Sequence, residues 1–273
     1  MNINIQQIKI EFNVTPEIKR YVYIYLIVGE HCYLIDSGVA GAELEVEKYL
    51  HGLGKSITDI QGIFLTHAHP DHIGGAAKIK EKSGCKVYAS RGEADWIEDI
   101  DKQFAKRPIP NFYSLVNESV KLDGILQDGD VLEPEPGITL QVVGTPGHSC
   151  DQLSYLLKEK HCVFVGDSIP VKGDILIWIN ERESMESLRK LASMKDVDTI
   201  YPAWDKTYKN EQITYKINEA LELIRTLKEK VNKSKMQATE IEKIAELVCE
   251  KMGTPEFLKN PLFCKTVESM MLE

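Results

Sequence analysis

Four metal-ligating side chains fall within six positions of the run THAHPDH: His67, His69, Asp71 and His72. Imidazole is the commonest protein ligand for borderline divalent cations. His67 and His69, two apart on a chain leaving a strand, project to the same side and can share one ion. Pro70 favours a helix start, where Asp71 and His72 can be directed at a second position beside the first. The apolar stretch QGIFLT precedes the cluster and a glycine pair follows it. The pattern is far more specific than a lone pair of histidines, and it lets one short loop serve two metals.

The HxHxDH string resembles that of the metallo-β-lactamase-fold hydrolases. Three further stretches follow the same order: LIDSG with Asp36 at an early strand end, TPGHS with His148 in a tight glycine turn, and VGDS with Asp167 after another strand. The match spans about residues 20 to 205. Within the family, TPGHSCDQLSYLL resembles the glyoxalase II and lactonase-like branches more than the lactam-hydrolysing branch. The resemblance implies that His67, His69 and His148 bind a first metal. Asp71 and His72 then contribute to a second, Asp167 bridges the two, and Asp71 is the catalytic carboxylate. Asp36 is expected to orient the ligands rather than bind metal. Three neutral imidazoles leave an open coordination position, where a bound water can lose its proton near neutral pH. A carboxylate such as Asp167 can hold two cations close together and offset part of their repulsion.

The chain departs from the family late on. Where a strand usually ends in a turn bearing the last histidine of the second site, this sequence has YPAWDKTY, with Trp204 in the histidine position. No histidine follows His161, and His31, His51 and His161 read as ordinary turn or surface residues. Two accounts are open: Asp205 supplies an oxygen ligand, or the second site is one protein ligand short and holds its metal weakly. Two divalent ions are expected, zinc first. An oxygen-rich second site would also suit iron or manganese.

These residues need strands to end beside one another. Up to Ser37 the pattern is β, with IKIEF, YVYIYLIV and HCYLIDS; AELEVEKYLHGLG reads as a helix, QGIFLT as a strand and HIGGAAKIKEKSG as a helix. CKVYAS then reads as a strand and GEADWIEDIDKQF as one amphipathic helix, leading into the link RPIPNFYSLV. Strands return with GITLQVV, QLSYLL and CVFVGDS; ESMESLRKLASM follows as a helix and TIYPAW as a final strand. After about Gln212 the pattern is helical throughout. The expected fold is therefore α/β: a four-layer αββα metallo-β-lactamase sandwich over residues 1–210, and a helical C-terminal extension over 211–273. The amphipathic extension is expected to pack on the sheet. Trp96, Phe104, Phe112 and Tyr113 read as local core in preference to a substrate-facing insertion.

With 273 residues, 43% hydrophobic and 27% charged, the chain can bury one large core. Its net charge of -9 disfavours nucleic acid as a partner. The six cysteines are dispersed, which suggests neither a disulfide framework nor a thiolate metal site. No signal-peptide pattern or membrane-length apolar run is present, so a cytoplasmic location is the default expectation. A small-molecule substrate is expected and a homodimer is allowed. The first choice of reaction is metal-dependent hydrolysis of a small carbonyl compound: a thioester, lactone or ester. Phosphodiester hydrolysis, iron-dependent redox or sulfur-oxygenating chemistry on the same fold, and metal binding without turnover are the alternatives.

Overall fold

The computed structural model describes residues 3–16 and 18–271; the outermost ends of the two expected segments lie outside this range. The first sheet is built by β1 (Asn4–Thr15), β2 (Ile18–Val28), β3 (Cys32–Ile35), β4 (Ile60–Phe64), β5 (Lys86–Ser90) and β6 (Gly124–Leu126), in that spatial order. The first three strands run antiparallel; β3 to β6 are parallel. Parallel neighbours require crossovers. These are α1 (Glu43–Gly52), then α2 (Pro70–Ile73) with α3 (Ala76–Ser83), then α4 (Arg91–Ile97), α5 (Ile100–Lys106) and α6 (Phe112–Leu115).

The second sheet contains β7 (Val131–Glu135), β8 (Ile138–Gly144), β9 (Leu153–Leu157), β10 (Cys162–Gly166), β11 (Thr199–Pro202) and β12 (Tyr208–Lys209), again in chain order across the sheet. Only β10 and β11 pair in parallel, and α7 (Glu181–Ala192) crosses between them. The chain then continues as α8 (Glu211–Lys235), α9 (Ile241–Met252) and α10 (Leu262–Ser269).

Strand periodicity explains the layering. Tyr25 and Ile27 face the second sheet, where they share a core with Phe164 and Tyr155; their neighbours Ile24 and Leu26 face the helices behind the first sheet. On β10, Cys162 and Phe164 point inward, while Val163 and Val165 pack against α7 and the C-terminal helices. Helices thus cover both outer faces, giving the expected four-layer αββα sandwich with a helical C-terminal region. Ile213, Ile217, Ile224 and Val231 on α8 belong to the same core as Val163, Val165 and Ile200 of the sheet.

Some local expectations change. The helix expected over GEADWIEDIDKQF is two helices, because Asp99 leaves helical geometry and its side chain caps α5 by accepting from Lys102 N. HIGGAAKIKEKSG also divides, at Gly74 and Gly75. The backbone of Leu115 approaches Gly74 so closely that an added Cβ would stand 2.1 Å from its carbonyl oxygen. The strands β6, β7 and β12 are too short or too polar to have shown a period, and α6 lies within the expected link. Phe112 is buried and ring-packed with Phe104, and Trp96 and Phe104 pack half-buried against the same core, as the core reading expects; Tyr113 departs from it, since its ring touches Phe112 but is exposed.

Candidate metal centre

The site lies at one edge of the sandwich, where strands of both sheets end. Beyond β4 come Thr66, His67 and His69; β8 is followed by His148, β10 by Asp167, and β11 by Trp204. Backbone shape fixes two of these positions. Gly147, just before His148, has φ +125°, and a Cβ there would sit 2.3 Å from the backbone nitrogen of Ser184. Gly166, just before Asp167, has φ +50° and lies against Thr66. Asp36 itself adopts φ +60°, a costly conformation for a residue with a side chain.

One ligand atom each from His67, His69, His148 and Asp167 lie within 4.8 Å of one another, and all four residues are buried or nearly so. His67 Nε2 and His148 Nε2 each approach His69 Nδ1 at 2.9 Å. Their outer partners set the tautomers. Thr66 Oγ1 donates to Asp36 Oδ2, so at 2.9 Å from His67 Nδ1 it is left to accept that ring's N–H. His148 Nδ1 donates to the carbonyl of Ile177 at 2.7 Å. Both Nε2 atoms therefore present bare lone pairs at the same point. Burial, reinforced by the neighbouring His72 and His148, holds His67 well below the ordinary histidine range. Burial and Arg107 do the same to His69, and burial lowers His148.

Asp71 and His72 stand beside this group. His72 Nδ1 meets Asp36 Oδ2 at 2.8 Å, while its Nε2 lies 3.3 Å from Asp167 Oδ1 and 3.7 Å from Asp71 Oδ2. Neither His72 Nε2 nor Asp167 Oδ1 has a hydrogen-bond partner, although both are buried. Burial opposes a charge on His72, but Asp167, Asp36 and Asp71 outweigh it and raise the imidazole well above its ordinary range. Burial, with Asp167 adding to it, raises the Asp71 carboxyl. For Asp167 burial acts upward too, but His72 and His148 prevail and the carboxyl lies below the usual range. Converging imidazole lone pairs, the two buried polar atoms without hydrogen-bond partners and the largely buried carboxylates of Asp71 and Asp167 fit a divalent cation.

Asp205 does not join the cluster. Its carboxylate accepts from Tyr208 Oη and Lys206 N and pairs with Lys216 Nζ at 3.2 Å. Trp204 does reach the site: its indole Nε1 donates to Asp167 Oδ2 at 2.9 Å. The ring is covered by Arg20, whose guanidinium lies 4.3 Å from the centroid and pairs with both oxygens of Asp174 at 2.7 and 2.9 Å.

Several contributors carry no sequence pattern of their own. Glu93, buried in the first turn of α4, accepts from Ala68 N between the two first histidines, and Gln103 donates to Ala68 O. Arg107 is buried beside the cluster. Thr266 on α10 accepts from Trp178 N and sits within hydrogen-bonding distance of the carbonyls of Leu176 and Trp178, flanking the Ile177 carbonyl that holds His148. Only Thr66, adjoining His67, was close enough to the motif to be suspected.

The metallo-beta-lactamase superfamily model matches residues 18–204. The chain belongs to the metallo-beta-lactamase superfamily of hydrolases. It is 29% identical to a hydroxyacylglutathione hydrolase of Hyphomonas neptunium over 198 residues, covering 69% of this chain and 68% of that one. A hydroxyacylglutathione hydrolase of Rhodopseudomonas palustris is 28% identical, with 65% and 63% covered, so the match spans less than two thirds of that relative. The fold is shared with a metallo-beta-lactamase family protein of Thermus thermophilus at a TM-score of 0.75 and 19% identity. That alignment covers 97% of this chain and 92% of the other.

Proposed function

We propose that the chain is a metal-dependent hydrolase of small carbonyl substrates, thioesters first. The observation that carries this reading is the convergence of His67, His69, His148 and Asp167 on one point, at the wall of a cavity lined also by Asp71. In this reading His67, His69 and His148, with Asp167, hold one divalent ion. Asp167, His72 and Asp71 hold another more weakly, because Trp204 supplies no ligand lone pair. Bound zinc, the first choice of metal, would supply Lewis-acid activation of water and polarisation of a carbonyl.

The protein's own groups do the positioning. Asp36 bonds to His72, Thr66 N and Thr66 Oγ1 at once, and so orients His72 and, through Thr66, His67. Asp71 is the catalytic carboxylate of this reading: it lines the cavity, with its Oδ2 3.7 Å from His72 Nε2. The thioester preference is supported by the hydroxyacylglutathione hydrolases among the relatives. A panel of thioesters, lactones, esters and phosphodiesters tests the reading. Thioester turnover at least tenfold above that of phosphodiesters (about 1.4 kcal/mol in barrier) is expected; the reverse order would overturn it.

A further inference from the structure

The cavity beside the candidate centre contains a buried charged group that the hydrolase reading leaves without a task, whereas Glu256 at its wall is exposed. Arg107 directly follows α5, is 8% exposed, and lines the cavity with His69 and Asp71. Among the described residues no hydrogen bond or ion pair engages its guanidinium. Burial lowers it to about 10, and Asp71, Asp167 and Glu93 counter that only in part, from beyond contact distance. The other guanidinium in the cavity, on Arg20, is fully committed to Asp174. A buried cation without a direct partner is costly, and a planar fork of N–H donors matches a carboxylate.

The rest of the cavity is mainly apolar, with Phe12, Ile109, Leu115, Ile175, Phe257 and Leu262 among its walls. Its volume is about 400 Å³, within the range of small-ligand sites. Phe257 and Leu262 come from the C-terminal region, so the extension supplies part of the cavity wall.

We propose that this cavity is an acyl-binding site for an extended apolar chain, and that Arg107 receives the carboxylate that hydrolysis leaves at the end of that chain. The inference rests on the hydrolase reading for its reaction. In thioester hydrolysis the acyl carbon–sulfur bond breaks and the oxygen of water joins the acyl carbon. One proton goes to the departing sulfur and one to solvent, and the acyl carboxylate stays behind. An unpaired guanidinium beside the cluster and apolar walls beyond it match the two ends of that product.

Calorimetric titration of the full-length, metal-loaded protein with butanoate, hexanoate and octanoate, and with 1-octanol, tests the site. Affinity is expected to rise about fourfold per methylene until the cavity is full. Arg107→Gln should weaken octanoate by about tenfold while leaving 1-octanol unchanged, and Arg107→Lys should restore part of the loss. Ile109→Trp, which narrows the cavity without touching the cluster, should weaken octanoate and spare butanoate. Equal affinity for butanoate and octanoate, or equal loss of octanoate and 1-octanol in Arg107→Gln, would overturn the proposal. Chain-length-dependent binding without hydrolysis of any thioester, lactone or ester would refute the hydrolase reading and leave the site standing. Thioester hydrolysis indifferent to acyl length and to Arg107 would do the opposite.

Discussion

Trp204 and Asp205 occupy adjacent positions and do unlike things. Trp204 spends its N–H on Asp167 Oδ2 and offers no lone pair, so in the proposed two-metal reading it is the residue that leaves the second position a ligand short. Trp204→His is expected to raise the tightly held metal from one equivalent to two, read by elemental analysis after gel filtration; a count still at one would show that residue 204 is not what limits the site. Asp205 faces Tyr208 and Lys216, and these contacts hold its carboxyl below the usual range despite burial. A carboxylate with a lowered value stabilises the fold above its unfolded pKa of about 4, and that stability is lost as pH falls through the folded value. Asp205→Asn should therefore leave metal affinity unchanged and cost about 1–3 kcal/mol near neutral pH. Chemical denaturation at a series of pH values should show the gap between the two proteins closing below about pH 4. A variant that loses metal instead would return Asp205 to the ligand set.

At the scale of elements, the centre depends on strand ends that different layers hold in place. His148 donates to the carbonyl of Ile177, and Thr266 on α10 grips the backbone on either side of that carbonyl. Thr266→Val is expected to lower metal affinity by roughly threefold to tenfold, with the circular dichroism spectrum retained. Unchanged affinity would make α10 a covering helix only. These links were the least legible part of the sequence. The spacing of THAHPDH, the glycine turns before His148 and Asp167, and short continuous apolar strands such as CVFVG all express themselves within a few residues. Arg107, Glu93 and Thr266 act across the fold, so nothing near them in the chain marks them. The split of α4 from α5 was hidden for a related reason: a single Asp99 cap overrides an otherwise continuous apolar stripe. Short strands such as β12, two residues long, offer too few side chains to show a period.

At the scale of the molecule, two sheets bring their strand ends to one edge, and the C-terminal helices share the second sheet's outer core while walling the cavity at that edge. Among the described residues no helix is long and apolar enough to cross a membrane. The central claim is that His67, His69, His148 and Asp167 hold the metal on which hydrolysis depends. It is tested most directly by stripping the full-length protein with a chelator and titrating zinc back while following thioester hydrolysis. The prediction is that activity returns with the first tightly bound equivalent, and that a His67→Ala, His148→Ala double variant, folded by circular dichroism, neither binds that equivalent nor recovers. Full activity in the chelated protein, or tight zinc binding by the double variant, would contradict the account.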